Sequence, residues 1–153
     1  MSTLSIESPD TDGLIPRGVL LAGVAAVIPF VALAIAAWFP PAFATAPEVL
    51  HAGIAYGAIA LAFICGARWG VVISQPSLER ALTLVLALWG WLALVIPPLL
   101  GLCLLIAGFF LQAFWNVLST DRGSVPGWFG KLSSLYTVGA VIALLTMLVR
   151  LLI

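Results

Sequence analysis

Arg68 is the side chain with the widest chemical reach in this sequence, because it stands in a run otherwise apolar from Ala52 to Ser74. Its neighbours read Cys65-Gly66-Ala67-Arg68-Trp69-Gly70. A guanidinium stays charged and presents a planar fork of five donors, so in apolar surroundings it needs acceptors, an anion or a route to water. Acceptors occur on other apolar runs. Gln112 and Asn116 are spaced i and i+4 on one helical face, and Ser133, Ser134, Tyr136 and Thr137 follow further on. Arg68, Gln112, Asn116 and Tyr136 are therefore the candidate polar cluster. Two placements are open to Arg68. Its long stem can lift the charge to the headgroups, or it can turn inward, to join a structural network or to anchor a bound anion.

Catalytic groups are scarce. The chain has one histidine, its six acids lie in tails or loops, and no HExxH, GxSxG or P-loop pattern occurs. His51, close to Glu48, reads as an interfacial residue, and Tyr56 and Trp91 read as packing aromatics. Cys65 and Cys103 sit in separate apolar runs without metal-ligand spacing and read as small buried hydrophobes. The expectation is a protein that is not an enzyme and needs neither cofactor nor metal. A proton or cation pump would want a membrane-embedded acid, which the apolar runs do not supply.

Composition dictates what must position these groups. Of 153 residues, 63% are hydrophobic and 8% charged, against about 45–50% and about 25% in soluble domains. So few charges cannot cover a water-facing surface, and the solvent must be lipid. A net charge of zero leaves no electrostatic basis for a nucleic-acid partner.

A bilayer-spanning segment needs ~20 apolar residues as helix, because lipid offers no partners to open backbone. Five runs qualify, at about 17–38, 51–74, 80–96, 99–119 and 131–153, after a polar tail over 1–16. The predicted fold is all-α, a single five-helix membrane domain over 17–153. Pro97-Pro98 splits one very long apolar stretch into a hairpin of two helices. Pro29 falls within the first helix and should kink it.

Arg17, Arg68, Arg80, Arg122 and Lys131 fall on the N-terminal side of this threading and only Arg150 on the other. The positive-inside rule then puts the N-terminus in the cytoplasm and the C-terminus outside. The tail has Glu7, Asp10 and Asp12 and no base, unlike an Arg-rich transit peptide. Ala44-Thr45-Ala46 resembles a signal cleavage site, but the preceding apolar run is about twice a normal signal core. A bacterial cytoplasmic (inner) membrane is the expected location, with the mitochondrial inner membrane as alternative.

On a wheel of about 100° per residue, Arg68 lies about 20° from Gly57 and about 60° from Gly53, with bulky Leu61 about 20° to the other side. Gly66 and Gly70 fall roughly opposite. Small residues four apart let membrane helices approach closely, so the second helix is expected to pack on both faces and to be central. Helix four carries its own stripe of Gly101, Leu105, Gly108, Gln112, Trp115 and Asn116. Depth agrees as well. Arg68 is about 17 residues past His51, and Asn116 about 17 past Leu99, each ~26 Å along its helix.

Ile15-Pro16-Arg17, Ile28-Pro29-Phe30, Ala55-Tyr56-Gly57, Gly66-Ala67-Arg68-Trp69-Gly70, Leu111-Gln112 and Pro126-Gly127-Trp128 occur in that order. Together they resemble the transmembrane protein 69-like family of small multi-helix membrane proteins, domain of unknown function 3429, over nearly the whole chain. The resemblance implies a polytopic helical fold and brings no established activity. It also implies an acid about four positions after the glutamine, where this chain has Asn116.

Two functions follow as expectations. The first is a non-enzymatic scaffold or assembly factor, partnered by the bilayer and by other membrane proteins or a second copy of itself. The alternative is a binding or translocation module for a lipid-like or tetrapyrrole anion, with Arg68 as the anchor.

Overall fold

The computed structural model describes residues 17–71, 77–121 and 127–153. The tail over 1–16, the last residues of the second predicted helix, Arg122 and Pro126 lie outside them. The described residues form five α-helices in order: α1 Arg17–Trp38, α2 Ala46–Val71, α3 Ser77–Val95, α4 Pro98–Asp121 and α5 Gly127–Leu152.

The ends of these helices have local causes. Thr45 opens α2 through a capping box: its backbone N–H and its hydroxyl both donate to Glu48 Oε2, at 2.7 and 2.8 Å. This cap sets the start at Ala46, about five residues before the expected one. Pro98 takes the first position of α4, where a missing N–H costs nothing. Pro97 O accepts from Gly101 N at 2.9 Å, so the two prolines make the hairpin. Pro29 stays inside α1, with helix on either side.

Among the described residues, four helices carry stretches long and apolar enough to cross a bilayer: Leu20–Trp38, Ala46–Gly70, Pro98–Asp121 and Gly127–Leu152. The apolar part of α3, Arg80–Val95, is shorter. All 19 residues of α3 give ~29 Å of helix, close to the ~30 Å hydrocarbon thickness.

α2 touches each of the other four helices, while α3 packs on α2 and α4 and α1 packs on α2 and α5. Phe30, Leu61, Leu102, Leu105, Phe109, Leu144 and Met147 are fully buried along this axis. The outward faces carry Ile28, Phe63, Leu88, Phe110, Phe114 and Ile142, apolar groups suited to lipid contact.

Parallel α2 and α4 run in register. Gly57 meets Leu105, Leu61 meets Gly108, and Cys65 and Arg68 meet Gln112 and Asn116. Leu61, the bulky residue in the stripe, fits because α4 presents a glycine to it: a Cβ on Gly108 would stand 2.8 Å from Leu61 Cδ2. Gly53 faces the Met147 side chain of α5, and Gly101 meets the Ala93 carbonyl of α3, 2.6 Å from where a Cβ would be.

Gly66 and Gly70 correct the sequence reading. Both are exposed, and among the described residues a Cβ at either would meet nothing within 4 Å. α2 is central without them, because α3 meets it at Ala58, where a Cβ on Gly90 would come 3.0 Å from the carbonyl.

Candidate functional site

Three helices build the polar cluster at the end of the bundle where α2 and α4 finish. Arg68, in the last turn of α2, is fully buried. The guanidinium is turned into the bundle, so the headgroup-reaching placement gives way to the inward one. Its Nη1–H donates to Asn116 Oδ1, and its Nη2–H donates to Ser119 Oγ at 2.7 Å. The two acceptors are i and i+3 on α4, so one planar fork spans a turn of the neighbouring helix.

Asn116 is the hub. Its Nδ2 donates to Ser133 Oγ of α5 at 2.6 Å, and its Oδ1 also receives Gln112 Nε2 at a long 3.5 Å. Gln112 Oε1 accepts from the Cys65 thiol at 3.6 Å. Asn116 O takes the Thr120 hydroxyl at 2.9 Å, tying the next turn of α4 to the same residue. Gln112, Asn116 and Ser119 are all fully buried, so each polar group here must find its partner within protein.

Tyr136 stands apart from this hydrogen-bonded group. On α5 the position facing Asn116 is Ser133, and three residues further turns the side chain about 60° away. The Tyr136 ring packs instead near Phe30 and Phe109, with centroids 6.0 and 6.3 Å away. Phe30 meets Tyr56 edge-on at 4.8 Å, and Tyr56 donates its hydroxyl to Ala26 O at 2.7 Å. Trp91 is exposed on α3, and His51 is exposed one turn past the α2 cap.

Ser119 and Cys65 belong to the cluster although sequence reasoning did not select them. Helical spacing carried the signal: Ser119 is i+3 from Asn116 and i+7 from Gln112, and Cys65 is i−3 from Arg68. Cys65 is buried, as its hydrophobicity implies, and its thiol adds a weak donor.

Chemically, the cluster offers amide, hydroxyl and guanidinium hydrogen bonds. Among the described residues, no group of three His, Cys, Asp or Glu could hold a metal ion. Interhelical polar contacts of this sort contribute roughly 0.6–2 kcal/mol each in membranes, enough to lock α2, α4 and α5 in one register.

Long apolar helices around a buried polar lock define a polytopic helical membrane protein. The family described as protein of unknown function (DUF3429) matches residues 15–149, and the chain belongs to it. The chain is also similar to Transmembrane protein 69 of Xenopus tropicalis, with 31% identity over 143 residues. That match covers 88% of this chain and 55% of the relative, so the chain spans about half of that protein's length. No solved structure matches.

Proposed function

We propose that this is a non-enzymatic membrane scaffold or assembly factor. It is read as a five-helix chain of the bacterial cytoplasmic membrane with its N-terminus inside. One observation carries the reading: Arg68, Gln112 and Asn116 are wholly buried and hydrogen-bonded to one another and to Ser119 and Ser133. The intramembrane polar groups thus hold helices together, and the outward faces are left for lipid and other membrane proteins. An amphipathic anion anchored by Arg68 is less well supported, since that role needs the guanidinium beside open volume. Among the described residues, Arg68 does not line any of five grooves that run between the helices.

The test is native gel migration and cross-linking of the chain in its own membranes after mild solubilisation. A discrete larger assembly, whose other subunits lose their assembly when this chain is deleted, supports the role. Migration as a free monomer under every mild condition, with no membrane complex altered by deletion, overturns it.

A further inference from the structure

A groove of about 500 Å³ lies between α1, α2 and α5 at the end of the bundle where Arg17 stands. Its walls are Ala22 and Ala26 of α1, Phe63 and Ala67 of α2, and Leu132 and Tyr136 of α5. We propose that it holds one acyl chain of an anionic phospholipid from the leaflet on the Arg17 side.

Its length fits one leaflet. On α1 the groove runs from Gly18 to Ala26 and on α5 from Trp128 to Tyr136, about 12 Å of helix in each case. One leaflet contributes ~15 Å of hydrocarbon. The lining ends at Ala26 on α1 and at Tyr136 on α5, and the Ala26 carbonyl is already taken by the Tyr56 hydroxyl. A chain entering from the interface therefore stops near the bilayer middle.

Its charged and interfacial features lie at the mouth, as a phospholipid headgroup requires. At the mouth stand Trp128, an aromatic suited to the interface, and Arg17, the exposed first residue of α1 and the neighbour of Gly18. The first backbone N–H groups of α1 and α5 lie at this level too, and favour negative charge. Deeper, the wall is apolar apart from the hydroxyls of Ser133 and Tyr136. Ser133 is buried, and its oxygen accepts from Asn116, which leaves its own proton to donate. A neutral lipid would use the apolar walls but not the positive charge at the mouth.

The experiment is thermal unfolding of the purified chain in mild detergent, with phosphatidylglycerol or phosphatidylcholine added. Phosphatidylglycerol should raise the unfolding midpoint more than phosphatidylcholine does. Ala22→Phe, which fills the groove without touching the polar cluster, should erase that difference, and Arg17→Gln should weaken the apparent phosphatidylglycerol affinity about fivefold. If Ala22→Phe does not fold, Ala67→Leu fills the groove from α2 and should act alike. Equal shifts with both lipids, full phosphatidylglycerol stabilisation in a groove-filled variant, or unchanged affinity in Arg17→Gln would overturn the proposal.

Discussion

At the scale of the residue, Asn116 matters more than its neutrality suggests. It accepts from Arg68 and donates to Ser133, so it joins α2 to α5 through α4. Removing it leaves buried donors and an acceptor without their partner, which costs more than the bonds themselves contribute. Asn116→Leu should therefore lower stability by about 2–4 kcal/mol, read as a lower midpoint of thermal unfolding in detergent. Arg68→Met should do comparable damage. The double variant Arg68→Met/Asn116→Leu should lose clearly less than the sum of the two, because neither half is then stranded. Additive losses would show that the two residues do not act as a pair. The resemblance to the family sets up a sharper contrast, since an acid is expected where Asn116 stands. Asn116→Asp keeps the acceptor for Arg68 and adds the opposite charge, so it should unfold no earlier than the natural chain.

At the scale of the element, glycine positions separate into two kinds. Gly101 and Gly108 sit where α4 closes on its neighbours. A Cβ on Gly101 would meet the Ala93 carbonyl, part of a backbone that cannot swing aside. Gly101→Ala should cost about 1–3 kcal/mol through overpacking. Gly66→Ala and Gly70→Ala should be neutral or slightly stabilising, because no neighbour resists and alanine favours helix. A loss at Gly66 or Gly70 matching that at Gly101 would mean a close neighbour covers that face. The same glycines show what could be read in advance. Helix count, the proline hairpin and the equal depth of Arg68 and Asn116 followed from hydropathy and 1.5 Å rise, which depend on the chain alone. Which glycines met a neighbour depended on where α3 settled, and periodicity holds no information about that. Ser133 rather than Tyr136 facing Asn116 is a matter of rotation about α5, again set by its neighbours. The start of α2 was different, since Thr45-Ala46-Pro47-Glu48 spells a capping box. Hydropathy begins the helix only where the apolar run begins, so these polar capping residues fall outside it.

At the scale of the whole molecule, the charges divide the bundle into unlike ends. Arg17 opens α1, Arg80 lies in the first turn of α3, Lys131 stands one turn into α5, and Arg68 lies at the close of α2. At the opposite end Arg150 stands 6.0 Å from the Trp38 ring, whose Nε1–H donates to Thr146 O. That pairing ties the end of α1 to the end of α5 and gives Arg150 an aromatic face. Insertion follows basic residues near the ends of apolar segments, so the end with four of these five bases should remain in the cytoplasm. The expected topology is testable with single cysteines in a chain whose Cys65 and Cys103 are replaced. A membrane-impermeant maleimide added to intact cells or right-side-out vesicles should label Ala42→Cys, in the exposed α1–α2 turn, and Ile153→Cys. Asp121→Cys, exposed at the far end of α4, should react only after permeabilisation. The reverse pattern would place the Arg17 end outside and defeat the positive-inside reading. Labelling of Ala42→Cys and Ile153→Cys from opposite sides would instead show that one helix does not cross. α3 would be the helix at issue, because its apolar stretch is the shortest. The same three positions therefore report both the direction of the bundle and the number of crossings, two properties that helix packing alone leaves independent.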